Sequence, residues 1–270
     1  MLGSAFSQFK NIYNQKSLIN QFTRREISNR YKGSYLGIVW SFITPLIMLV
    51  IYTFVFSVVF QAKWGAGENT SKVEFALLLL SGLLVFNIFS EVLSKSPTLI
   101  TSNPNYVKKV VFPLEILPIV TLGSALFQAL ISYVILVSAL FLLMGVFNWT
   151  ALLFPLVLIP LVLFTVGLSW FISSLGVYIR DIGQIINLAL PALMFMSPIF
   201  YPISVIPKEF HFIYQINPIS YVVEDARRTI IWGELPSWDW MVYGTIIGVV
   251  FAAFGYIWFK KTRKGFADVL

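Results

Sequence analysis

The sequence predicts an all-α integral membrane protein with six transmembrane helices in a single membrane domain. Three observations predict it. Hydrophobic residues make up 58% of the 270-residue chain and charged residues only 11%, against about 25% charged in ordinary soluble domains. A soluble core of this length cannot absorb so much apolar surface, so the solvent for most of it is lipid. Six apolar runs, near 36–60, 73–94, 116–146, 151–177, 184–201 and 242–259, reach the length of about 20 residues that a crossing helix needs. Finally, the lysines and arginines are divided unevenly between alternate connections.

Residues 1–35 read as a cytoplasmic interfacial segment. The opening MLGSAFSQFKNIYNQ lacks a continuous apolar core and a small-residue cleavage site, so no removable signal peptide is expected. In SLINQFTRREISNRYKGSYLG, residues 17–37, Leu18, Phe22, Ile27 and Tyr31 share an apolar flank of a helix. Arg24, Arg25 and Arg30 then face headgroups or protein, the pattern of a helix lying along a membrane surface. A lipid anchor and a grip for a partner both fit it. Gly33 and Gly37 permit a sharp turn into the first span, GIVWSFITPLIMLVIYTFVF, which carries no charge.

The second run ends in LLVFNIFSEVLSK. Glu91 lies near the end of that span, four residues before Lys95, and reads as half of an interfacial pair. Asn87 sits one turn deeper, placed to bond a neighbouring helix. In TSNPNYVKKVVFPLEILP, residues 101–118, Asn103-Pro104 marks a helix start and Tyr106 to Phe112 a short amphipathic helix. Pro113 stops it, and Glu115 stands at the foot of the third span. Such a helix transmits a push or merely connects two spans, and periodicity leaves both open.

The fifth run, QIINLALPALMFMSPIFY, is short and carries Pro191 and Pro198. Residues 202–241 mix aromatic and charged residues. A seventh crossing there would bury charge and send the basic tail, residues 260–270, to the other side. The expectation is instead one or two re-entrant helices dipping into the outer leaflet, broken at Pro202, Pro207 and Pro218. Backbone at that depth is tolerated where it packs on protein or lines a cavity, as a lid over a pathway would.

Fourteen of the nineteen basic residues fall on one side of this layout, and Lys63, Lys72, Lys208, Arg227 and Arg228 on the other. The bias puts both termini in the cytoplasm. The formal charge of +7 flanks spans and forms no single groove, so a nucleic-acid partner is not expected. With no cysteine and one histidine, His211 between Phe210 and Phe212, disulfides and a clustered metal site are excluded. No GxxxxGK[ST] phosphate loop occurs, and intramembrane acids are nearly missing. Energy for any transport would therefore arrive from a partner.

Five stretches, RYKGSYLGIVWSFITPLIMLVIYTFVF, YVKKVVFPLEILP, GVYIRDIGQII, SPIFYP and NPISYVVEDARRTIIWG, together resemble the permease subunit of type-2 ABC exporters of bacterial polysaccharides. That family includes O-antigen, capsule and teichoic-acid exporters. The resemblance covers nearly the whole chain. It implies contact between a separate ATPase subunit and the two cytoplasmic helices, here Arg24, Arg25, Glu26 and Arg30, and Asn103, Tyr106, Lys108, Lys109, Phe112, Pro113 and Glu115. It also implies external gate helices at Pro198, Tyr201, Pro202, Asn217, Pro218 and Tyr221. Two copies would pair around a channel above two ATPase subunits that bind ATP and magnesium, with no cofactor in this chain. The expected substrate is a lipid-linked polysaccharide, O-antigen-like by the first-span collar, crossing the bacterial inner membrane.

Aromatic residues make up 17% of the chain. Sugar rings stack on aromatic faces, so Trp40, Tyr52, Phe56, Phe60, Phe195 and Phe200 are candidates to line the channel; facing lipid and packing helices are their other possible uses. Two rival readings remain. An ion-coupled carrier would require Glu91. A membrane glycosyltransferase or polymerase would need acids clustered at one face, and only Glu224, Asp225, Glu234 and Asp239 come close. Their neighbours Arg227 and Arg228 suit a salt-bridged gate better.

Overall fold

A computed structural model describes residues 14–59, 64, 71–108 and 112–269, and every regular element among them is helical. Helix α1 (Lys16–Tyr31) is followed by Gly33 and Gly37, both at positive φ, 86° and 53°. That left-handed backbone suits glycine and makes the expected turn into α2 (Trp40–Thr53). The turn Phe54–Val59 prolongs α2 with π-type bonding. Helix α3 (Lys72–Lys95) starts at a serine cap: the Ser71 hydroxyl accepts from the Glu74 amide at 3.1 Å. Lys95 closes it, a cation at the negative end of the helix dipole.

Helix α4 (Pro104–Val107) is a single turn with Pro104 in the first position, shorter than the sequence suggested. Next come α5 (Leu117–Met144), α6 (Ile159–Tyr178) and α7 (Ile182–Phe195). The segment between α7 and the last long helix holds α8 (His211–Ile216) and α9 (Pro218–Arg227). Here the prolines start elements: Pro202 and Pro207 precede short 3-10 turns and Pro218 opens α9. The chain finishes with α10 (Trp238–Thr262) and the short α11 (Phe266–Val269).

Among the described residues, four helical stretches are long and apolar enough to cross a membrane: Lys72–Thr98, Leu114–Met144, Trp149–Tyr178 and Trp238–Val269. The first and fifth runs yield only the shorter apolar helices Gly37–Thr53 and Ile182–Phe195. At 1.5 Å per residue α7 covers about 21 Å, short of the roughly 30 Å hydrocarbon core. The reason is local. Residues 196–201, expected to complete the fifth span, fold into a turn whose Ser197, Pro198, Ile199 and Phe200 are all buried against protein.

Helix α3 is the axis of the bundle, touching α2, α5, α6, α7 and α9. Lipid tails are as apolar as leucine, so close van der Waals packing, not water exclusion, must hold membrane helices together. The tightest example is α6 on α10. A Cβ built on Gly255 would lie 2.0 Å from the Gly167 carbonyl oxygen, and one on Gly167 would lie 2.5 Å from Phe251 backbone. The two backbones touch directly. By contrast, α2 and α7 each bury a single residue, Ser41 and Leu190.

Candidate functional site

The two segments marked by the sequence as a partner-binding face meet in the structure. Phe22 of α1 packs its ring against Tyr106 of α4 and Phe112, with centroids 5.7 and 5.4 Å apart. Tyr106 and Phe112 stack at 4.4 Å and 16°. Arg25 donates to the Tyr106 hydroxyl at 3.2 Å. Such aromatic pairs contribute about 0.5–1.5 kcal/mol each beyond their area, so α1 and α4 form one unit. Arg24 and Lys108 are exposed on it, Asn103 donates to the Leu99 carbonyl at 2.9 Å, and Pro113 precedes a 3-10 turn. Lys109 lies outside the described residues.

Three residues of that set are turned inward. Arg30 pairs with Glu91 and donates to Ser124 at 3.1 Å, and Lys95 bridges Glu26 at 3.1 Å and Glu91 at 3.3 Å. The Glu91–Lys95 pair seen in the sequence is thus half of a four-charge network that fastens α1 to α3. Thr23 against Gly123 brings α1 close to α5, and the Tyr31 hydroxyl donates to Gln128 at 2.9 Å. Glu115 is also buried: Arg263 bonds its carboxylate at 2.7 Å and the Phe112 carbonyl at 2.8 Å. The tail, which the sequence suggested only as a topogenic signal, is therefore docked on the foot of α5. Phe266 is fully buried beside Phe259, and the Tyr178 hydroxyl donates to the Thr262 carbonyl at 2.7 Å.

Asn87, placed by the sequence to bond a neighbouring helix, is exposed in a cleft of about 330 Å³ lined also by Trp40, Gln128 and Ser132. Of the other aromatic candidates, Phe195 is 54% exposed, while Phe200 is 2% exposed and sits between Phe195 and Tyr52, 5.4 and 5.7 Å away. Phe200 backs the outer rings and presents no face of its own. Phe60 and the side chain of Phe56 lie outside what is described.

At the opposite end, the predicted gate residues mostly converge. Asn217 caps α9 by accepting from the Ile219 amide at 3.0 Å and donates to the Ser197 hydroxyl at 2.9 Å. Tyr201 and Tyr214 share a hydroxyl–hydroxyl bond of 2.9 Å. Tyr221 is the exception, stacked at 3.8 Å on Trp240 of α10. His211 bonds the Ile206 carbonyl oxygen at 2.9 Å. Three of the four acids have partners: Glu224 pairs with Arg227 at 3.6 Å, Glu234 with Arg228 at 3.2 Å, and Asp225 accepts from the Ser237 amide and hydroxyl at 2.9 and 2.6 Å, while Asp239 is exposed. Sequence reasoning missed how deep Arg227 lies. It is fully buried. Its position beside Glu224 was the available signal.

The arrangement is that of a helical, multi-pass membrane protein, with α1 packed on α5 and ion-paired to α3, and with α9 started by a proline. The chain belongs to the ABC-2 type transporter family, which it matches over residues 17–231. It is 26% identical to an "O-antigen export system permease protein RfbA" of Klebsiella pneumoniae, over 94% of this chain and 95% of the relative. A protein of the same description from Myxococcus xanthus is 25% identical over 96% and 97%. "Polysialic acid transport protein KpsM" of Escherichia coli is 25% identical over 82% and 84%.

Proposed function

We propose that this chain is the transmembrane permease of an ATP-driven exporter of a lipid-linked, O-antigen-like polysaccharide in the bacterial cytoplasmic membrane. The carrying observation is the Phe22–Tyr106–Phe112 cluster, which joins the two elements expected to meet an ATPase subunit into one lever on α3 and α5. Family membership supports an ATP-binding partner, and relatives named for O-antigen export match nearly end to end, further than the KpsM relative. The chain crosses six times, the shorter α2 and α7 supplying the first and fifth crossings, with both termini cytoplasmic and α8 and α9 re-entering from outside. Two copies pair through the largely uncovered faces of α2 and α7, and Trp40 and Phe195 contact the polymer. ATP closure of two partner subunits moves α1 and α4 together, the four-charge network carries that motion into α3, and the interface opens.

The test is reconstitution of the chain with its ATPase in liposomes. Glycan should move only when ATP is present, and the double variant Arg24→Glu/Arg25→Glu should lose co-purification of the ATPase. Movement by the chain alone on a proton or sodium gradient would overturn the reading, and normal co-purification of the variant would overturn the mapping of the face.

A further inference from the structure

Arg227 is the one fully buried arginine among the described residues, and the coupling mechanism makes no use of it. Its Nη1 donates to the Pro198 carbonyl at 2.6 Å and its Nη2 to the Ile199 carbonyl at 2.9 Å. Nε and Nη2 reach the Leu78 carbonyl of α3 at 3.4 and 3.5 Å, and the guanidinium lies 4.1 Å from the centre of the Trp64 ring. Glu224, half exposed, is 3.6 Å away. The space for this group is reserved by Gly82, where a Cβ would meet Nη2 at 3.1 Å and Ile199 at 3.2 Å.

A charge buried this deeply is retained only where it is compensated, and an apolar side chain of similar volume would pack α9 against α3 without that burden. What the guanidinium adds is direction. Its planar fork spans two successive carbonyls of a turn that lies outside any helix, and buried carbonyls need partners. Three separate elements, α3, α9 and the turn after α7, therefore converge on one side chain. Asn217 joins the same turn to the start of α9 through Ser197.

We propose that Arg227 is the positioning residue of the external seal. It clamps the 197–200 turn against α3 between transport strokes, and the turn leaves the clamp when polymer passes. This rests on the exporter reading for which end faces outward, but its first test needs neither glycan nor ATP. The full complex is reconstituted in liposomes holding a trapped anionic dye. Arg227→Gln should leak dye at least about tenfold faster than the native complex, the change that a tenfold shift in a closed–open equilibrium brings. Arg227→Lys, one donor group without the fork, should fall between. The chain has no cysteine, so Ser197→Cys with Asn217→Cys can tie the turn to α9. Oxidising that pair in Arg227→Gln should restore tightness, as loss of positioning requires and general unfolding does not allow. An assembled Arg227→Gln complex that holds dye as the native one does overturns the proposal, as does a leak that the disulfide leaves unchanged. Should Arg227→Gln fail to assemble, the cysteine pair with native Arg227 decides. Oxidation must stop ATP-driven export and reduction restore it, and full export while oxidised refutes the clamp.

Discussion

The Glu115–Arg263 pair ties the turn after α10 to the foot of α5, and its strength follows from its surroundings. The Glu115 side chain is 10% exposed and the Arg263 side chain 30%, so water screens one partner and barely reaches the other. Glu115→Gln keeps the shape and one acceptor but removes the charge. A hydrogen bond between charged groups contributes about 1.5–3 kcal/mol and a neutral one about 1. With the discount for the wetter arginine, the loss is about 1 kcal/mol. Glu115→Ala also removes packing and leaves Arg263 with only the Phe112 carbonyl, for about 2–3 kcal/mol. Thermal unfolding of purified protein should register about 2–4 °C for each kcal/mol. A double-mutant cycle with Arg263→Gln should show a coupling of about 1 kcal/mol, and protease should clip the tail faster in each single variant. Additive effects, with no coupling between the two positions, would refute this account of how the tail is held.

Two further outcomes follow from the packing. Phe22→Ala removes two ring pairs worth about 0.5–1.5 kcal/mol each, so the reconstituted complex should keep hydrolysing ATP while glycan moved per ATP falls about fivefold or more; an unchanged ratio would show that α1 and α4 need not move together. Gly167→Leu forces a side chain into Phe251 backbone and should leave no folded protein to purify, whereas Gly145→Ala, at φ 68° but with open space around it, should fold with a loss of about 1–2 kcal/mol. Equal yields of the two variants would contradict the backbone contact between α6 and α10.

What the sequence disclosed depended on whether the deciding contact was local. The Gly33–Gly37 turn and the Glu91–Lys95 spacing each lie within one bend or one helical turn, and the four long apolar runs need only their own composition. The partners of Arg30 and Glu26 lie on α3, far along the chain, and depend on how Thr23 seats against Gly123, so charge pattern alone left those side chains facing outward. Residues 196–201 are as apolar as a span because their surroundings are buried protein; composition does not separate that from lipid, although Pro198 hinted at the difference. Arg227 reads from the sequence as an outside charge for the same reason. The four-residue spacing of Gly244, Gly248 and Ala252 marks the α10 face that meets α6, a signal that is present in the sequence.

The direct contact between Gly167 and Gly255 has a consequence for biosynthesis. Helix α10 follows α6 in the chain by some sixty residues, so the groove on α6 stays unfilled while the residues between them are inserted. Lipid chains are too mobile to occupy a slot cut to backbone dimensions. The fold can close only once α10 is in place, and a nascent chain stalled ahead of Trp238 would present to quality-control proteases a bundle with an open seam.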